Sequence, residues 1–159
     1  MPLDAIDRQI IQATQAGLPL VSEPYQALAE QLGLTAREVM QRMTNMQQNG
    51  VIRRIAAVPN HYKLGYRYNG MTVWDVDDKH VDALGHRVAE LPFVSHCYQR
   101  PRYLPDWPYN LFAMVHGKTE QDAERQIAII AELLGADVRR HTVLYSSKIL
   151  KKTGLRITG

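Results

Sequence analysis

Between residues 3 and 49, apolar side chains return every three or four positions, the period of a helix with one buried face. Leu3, Ile6, Ile10 and Ala13 form the first stripe and predict a helix over 3–16, stopped by Gly17 and Pro19. Tyr25, Leu28, Ala29 and Leu32 form the second, with Ser22 as N-cap, Pro24 in the first turn and Gly33 at the end. Val39, Met43 and Met46 form the third. Thr35 and Glu38 have the spacing of a capping box for it, and Gly50 supplies its stop. "VIRRIAAVP" (51–59) follows as a strand. Three short helices, a tight glycine turn before the third, and a strand predict a winged helix-turn-helix over 1–59.

From residue 60 the pattern changes. "YRYNGMTVWDV" (66–76) is rich in β-branched and aromatic residues and predicts a strand. A helix over 79–92 follows, with Val81, Leu84, Val88 and Leu91 on one face. "FVSHCYQ" (93–99) and "NLFAMVHG" (110–117) read as strands. A helix capped by Thr119 and Asp122 comes next, and the run from Asp137 to Leu150 reads as a last strand. The order βαββαβ predicts a ferredoxin-like sandwich over 60–159, so the whole chain is α+β.

Alternation along the hairpin predicts which side chains share a face. His96, Tyr98 and Arg100 fall together, as do Asn110, Phe112, Met114 and His116. Leu111, Ala113 and Val115 fall on the other side, suited to packing under helices. Cys97 faces away from His96 and reads as a small core residue. One sheet face thus carries histidines, aromatics and a guanidinium with no helix to cover it, which calls for a ligand or a second sheet.

Charge narrows the partners. The 159 residues carry 19 Lys+Arg against 16 Asp+Glu, a net charge of +3. That suits an anionic ligand but does not by itself indicate nucleic acid. The third helix bears Arg37 and Arg42 against Glu38, one net positive charge, so specific DNA binding is expected to be weak or absent. A lone cysteine excludes an internal disulfide framework, and the lack of a leader or long apolar run predicts a cytoplasmic protein with no membrane partner. No Cys/His spacing suggests a zinc site.

Four segments carry a resemblance: "RRIAAVPNHYKLGYRYNGMTVWDV", "HCYQRP", "WPYNLFAMVHG" and "YSSKILKKTGLRI". With the element order they resemble the Lrp/AsnC-like sirohaem decarboxylases of haem d1 and alternative haem biosynthesis. The resemblance spans essentially the whole chain. It implies removal of CO2 from the two acetate side chains at carbons 12 and 18 of sirohaem, giving 12,18-didecarboxysirohaem. It also implies work as a homo- or heterodimer with a paralogous subunit, which leaves open that the partner holds the active site. The competing expectation is a DNA-binding regulator of Lrp/AsnC type that senses a small molecule or haem.

Sirohaem carries many carboxylates, so its pocket needs cations and flat apolar surfaces. Arg67, Arg100, Arg102 and Lys148 are the candidate carboxylate ligands, with Lys151, Lys152 and Arg156 at the rim. Tyr66, Tyr98, Trp107, Tyr109, Phe112 and Met114 are the candidate surfaces, and Asn110 completes the binding set. The conjugated ring serves as electron sink and the substrate brings its own iron, so no separate cofactor is expected. The protein must return a proton to the carbon that loses CO2. His96 is the first candidate donor and His116 the second; His61 is the third, as an iron ligand or a hydrogen-bond partner of a propionate. His80 and His86 are expected in solvent and His141 is expected to be structural.

Overall fold

The computed structural model describes residues 3–151 and 154–157. The chain divides into two compact units. One runs to Val58 and takes in the tail from Lys151; the other spans Pro59–Leu150.

The first unit holds three helices, α1 (Ala5–Thr14), α2 (Pro24–Leu32) and α3 (Ala36–Gln48). α1 starts on a reciprocal cap. The Asp4 carboxylate accepts from the Asp7 backbone N–H at 2.8 Å, and the Asp7 carboxylate accepts from that of Asp4 at 3.3 Å. α2 has Pro24 in its first turn as expected, but its N-cap is Glu23 rather than Ser22 and makes no side-chain cap bond. Proline contributes no N–H, so one fewer donor is left to satisfy there. Gly33, at φ +67°, turns the chain into α3. Thr35 caps α3 by accepting from the Glu38 N–H at 3.2 Å. The reciprocal half of the box is absent, because the Glu38 carboxylate takes a hydrogen bond from Arg42 instead. Ile10, Leu28, Ala29, Val39, Met43 and Met46 form the core, as their spacing predicts.

The expected strand at 51–59 does not form. Ile52 donates back to Met46 at 3.0 Å, and beyond it Ile55 and Val58 are exposed. A strand needs a partner for its backbone groups, and among the described residues this unit offers none. The unit is therefore a helix-turn-helix without a paired wing.

The second unit is β1 (Tyr68–Val76), α4 (Val81–Ala89), β2 (Cys97–Gln99), β3 (Leu111–Gly117), α5 (Glu120–Leu134) and β4 (Val138–Tyr145). The strands lie in the order β2-β3-β1-β4, every pair antiparallel. Trp74, Val76, Leu111, Ala113 and Val115 bury one sheet face against Val81, Leu84 and Val88 of α4 and Ile130 and Leu134 of α5. A Cβ at Gly117 would stand 2.7 Å from the Thr119 carbonyl and 2.8 Å from the Ala123 nitrogen, so only glycine lets β3 run straight into α5. Two expected strands are shorter than read. Phe93 and Val94 pack on the core behind a turn instead of alternating, which leaves β2 three residues long; β4 stops at Tyr145 rather than Leu150. Among the described residues no helix is long and apolar enough to cross a membrane.

Candidate functional site

The histidines gather at one end of the open sheet face. β3 reaches that end with His116, paired in register with Asn69 at the start of β1. Just ahead of β2, Ser95 donates its N–H to the Met114 carbonyl and His96 accepts from the Met114 N–H, at 3.2 and 2.9 Å. This pairing holds Ser95 and His96 beside β3 although neither belongs to a regular strand. His116 Nδ1 lies 2.7 Å from Asn69 Oδ1, and its Nε2 lies 2.6 Å from Ser95 Oγ. Ser95 Oγ lies 3.1 Å from His96 Nδ1. The Asn69 amide nitrogen donates to the Tyr66 carbonyl at 2.9 Å. A carbonyl only accepts, so the amide can present only its oxygen to His116, and His116 Nδ1 carries the proton.

His61 joins this end from the preceding loop. Its ring centroid is 5.8 Å from that of His116 and 4.7 Å from that of Tyr62. The loop is held by Asn60, which accepts from the Tyr62 N–H at 3.1 Å, and by Tyr66, which donates its N–H to His61 at 2.9 Å. Lys118 places its ammonium 5.3 Å from the Tyr66 ring centroid. With Tyr66, His116, Asp122, Arg125 and Gln126 it lines an open cleft of about 360 Å3.

Moving away from the histidines, the face becomes aromatic and cationic. The His96 and Tyr98 rings stack at 6.2 Å, and the Arg100 guanidinium sits 5.4 Å from the Tyr98 ring and 5.0 Å from the Phe112 ring. Arg100 donates its backbone N–H to Asn110 at 2.9 Å, which carries the hairpin one step past β2. Trp107 stacks toward Phe112 and meets Tyr109 edge-on. The loop tip is closed by a pair of 2.8 Å backbone bonds between Tyr103 and Trp107. Tyr98 is half exposed, so a flat ligand can reach it.

The opposite end belongs to a different group. Arg102 donates to Asp75 at 2.7 Å, to the Pro108 carbonyl at 2.8 Å and to Asp78, and only 13% of its side chain is exposed. Arg140 reaches the other Asp75 oxygen at 3.3 Å. Burial alone would raise the Asp75 carboxyl, but hydrogen bonds from Arg102 and Arg140 outweigh it and hold the group below the ordinary carboxylate range. Asn110 is buried; its oxygen accepts from the Val76 N–H and its nitrogen donates to the Val76 carbonyl, both at 2.9 Å. Arg102 and Asn110 therefore tie the proline loop to β1, and their donors are committed to the protein. The six residue steps along β1 from Asn69 to Asp75 put this latch about 20 Å from the histidines.

The structure thus brings together His61, His96 and His116, and places Tyr98, Arg100, Trp107 and Tyr109 along the same hairpin. Arg67 lies just before β1, and Lys148 lies three residues past the end of β4; β1 and β4 are antiparallel, so both leave the sheet at the histidine end. Both are exposed. Lys151 and Arg156 belong to the other compact unit, and Lys152 lies outside the described residues. His80 and His86 are exposed, bonded to Asp137 and to the Asp82 carbonyl, and His141 stacks on Trp74 at 4.4 Å. Sequence reasoning missed Ser95, Asn69 and Lys118. Ser95 adjoins a motif histidine, but a lone serine carries no signal until its neighbour across the sheet is known. Among the described residues no group of three or more His, Cys, Asp or Glu could hold a metal ion.

Comparison with known proteins gives the family. Residues 7–53 match the siroheme decarboxylase NirDL-like HTH domain, and residues 63–151 match the AsnC-like ligand binding domain. The siroheme decarboxylase NirH subunit of Pseudomonas aeruginosa is 57% identical over 98% of this chain and 92% of its own. The siroheme decarboxylase beta subunit of Methanosarcina barkeri is 42% identical over 98% of this chain and all of its own. The crystal structure of the siroheme decarboxylase NirDL in complex with an iron-uroporphyrin III analogue superposes with a TM-score of 0.64 at 31% identity, over 99% of this chain and 47% of that one. An open sheet face with histidines at one end, on a scaffold this close to those subunits along its whole length, makes the chain a member of the Lrp/AsnC-like siroheme decarboxylase family.

Proposed function

We propose that this chain is a subunit of a sirohaem decarboxylase, removing CO2 from ring acetates to give 12,18-didecarboxysirohaem. The observation that carries the reading is the His96–Ser95–His116 cluster beside the exposed Tyr98–Arg100 pair, in a chain 57% identical to a siroheme decarboxylase subunit. The aromatic and cationic stretch suits a flat polycarboxylate. Arg100, held over two rings, is the carboxylate ligand with a fixed direction, and half-exposed Tyr98 offers the flat surface, with Phe112 buried beside the guanidinium. Arg67, Lys148 and Lys118 extend the cationic set at the histidine end.

The chemistry follows from that placement. Loss of CO2 leaves an electron pair on the former methylene carbon, which the conjugated ring delocalises, so the electron sink is the substrate itself. One proton must then reach that carbon. His96 is exposed, with Nδ1 on Ser95, so its Nε2 is the nitrogen turned to a ligand and acts as the donor. His61, its ring 5.8 Å from that of His116, is assigned to the substrate's iron or to a propionate.

The curated relatives carry the name of a subunit, and this chain spans about half of NirDL. A paralogous partner of similar size fits that difference. The Lrp/AsnC regulator reading has less support, since Arg42 on α3 is already engaged by Asp4, Asp7 and Glu38. The test is anaerobic incubation of sirohaem with the purified chain, alone and with its paralogue, following product mass. Stepwise loss of two carboxylates is the expected result. No loss with the complete complex overturns the reading.

A further inference from the structure

Resting on the proposed decarboxylase reading, we propose that Ser95 is a proton-relay residue that joins His96 and His116 into one proton-sharing pair. Its hydroxyl lies 2.6 Å from His116 Nε2 and 3.1 Å from His96 Nδ1, so it bridges one nitrogen of each ring. A hydroxyl donates one hydrogen bond and accepts others, so it can take a proton from one ring while giving its own to the other. The far side of the chain is fixed. Asn69 presents an oxygen to His116 Nδ1, because its amide nitrogen is held by the Tyr66 carbonyl. His116 Nδ1 therefore keeps its hydrogen, and Nε2 is the atom that faces Ser95 and can exchange a proton with it.

Two arrangements of the same atoms follow. In one, His116 is the imidazolium; it donates from Nε2 to Ser95, and Ser95 donates to Nδ1 of a neutral His96. In the other, His96 is the imidazolium; it donates from Nδ1 to Ser95, and Ser95 donates to Nε2 of a neutral His116. One positive charge moves between rings without either ring turning. The step balances. The bond from methylene carbon to carboxylate carbon breaks, and CO2 leaves without the bonding pair. The carbon takes the proton of His96 Nε2, while His96 Nδ1 takes the proton of Ser95 and Ser95 takes that of His116 Nε2. One proton is consumed per carboxylate, and the charge lost is that of His116. Solvent restores a proton to the exposed His96 once product leaves. His116, half-buried and anchored by Asn69, thus serves the reaction at a distance from the carbon.

The test compares wild type, Ser95→Ala and Ser95→Thr in the complete subunit complex. Three quantities are read: tetrapyrrole affinity from visible spectra, single-turnover decarboxylation in H2O and D2O, and the imidazole 15N signals of His96 and His116 without substrate. The relay predicts tetrapyrrole affinity within about twofold for Ser95→Ala. Its rate falls on the order of 10- to 100-fold, toward the lower end for an acid–base group because His96 still meets solvent. Ser95→Thr, which keeps the hydroxyl, recovers most of the rate. The solvent isotope effect, fed by several protons in wild type, reduces to one proton in Ser95→Ala. Protonation of the two rings is linked in wild type and independent in Ser95→Ala. A normal rate in Ser95→Ala overturns the relay and leaves the decarboxylase reading standing. A loss of affinity in step with rate, not recovered by threonine, also overturns it in favour of simple packing. A wild-type complex inactive on sirohaem overturns the decarboxylase reading instead; unlinked imidazole signals in that wild type would then overturn the hydrogen-bond chain as well.

Discussion

At the residue scale, side chains of one chemical type have separate tasks in this structure. His96 is exposed just ahead of β2, while His116 is bonded at both ring nitrogens. His96→Ala should leave folding and tetrapyrrole binding largely intact and slow decarboxylation by about 10²- to 10⁴-fold, the range for losing a general acid. His116→Ala should slow it too, and should also lower stability slightly, since Asn69 is buried and loses its partner. Single-turnover mass spectrometry and urea unfolding separate the two. The arginines divide in the same way. Arg100→Ala should weaken tetrapyrrole binding by about 1.5 to 3 kcal/mol, the range for a hydrogen bond to a charged group, with little change in stability. Arg102→Ala should do the reverse and destabilise the fold by about 3 kcal/mol, because it leaves Asp75 buried with fewer partners. Equal effects of both variants on ligand affinity would contradict this division.

At the element scale, the latch on β1 couples the proline loop to the sheet through charge. Asp75 has a folded pKa below its unfolded value, so its contribution is fully present above about pH 4 and is lost as pH falls through the folded value. Asp75→Asn should therefore cost about 2 kcal/mol at neutral pH, and the gap to wild type should close as unfolding is measured toward pH 3. A gap that persists at low pH would mean that shape, not charge, secures the loop. Helix α3 shows the same economy of cations. Arg42 bonds Asp4 and Asp7 of the first helical turn at 2.8 and 2.9 Å and Glu38 on its own helix at 3.3 Å. A guanidinium so engaged has little left for phosphate, so no sequence-specific DNA complex is expected at physiological salt. A nanomolar genomic footprint under those conditions would restore the regulator reading.

At the scale of the whole molecule, the second unit covers only one face of its sheet with helices. The other face shows Tyr98 and Leu144 at 50% and 44% exposure, with Met71 and Met114 partly open between them. Such a face is stable in water only at a cost in apolar exposure, which a second sheet or a flat ligand removes. A dimer is expected, and a heterodimer when a paralogue is co-expressed. Sedimentation of the co-expressed pair as two monomers would contradict it.

Much of this protein was legible from the order of its residues. Helical stripes and glycine stops placed α1 to α5 within a few residues, because burial of one face and φ > 0 at Gly33 leave a local imprint. Alternation in 110–117 separated the helix-packed side chains from those opposite, because a strand's period is fixed by its geometry, but it did not show that Asn110 and Phe112 on the second side are buried as well. Wherever an outcome depended on a distant partner, sequence was silent or misleading. Residues 51–59 have strand composition but no strand to pair with. Glu38 has capping spacing, yet Arg42 holds its carboxylate. Arg102 and Arg100 look alike two positions apart, and only the fold sets one against Asp75 and the other over Tyr98 and Phe112. Ser95 meets His116 across 21 positions of chain. Local periodicity records what each residue prefers; which polar group ends up facing which is decided only when the strands pair and the loop closes.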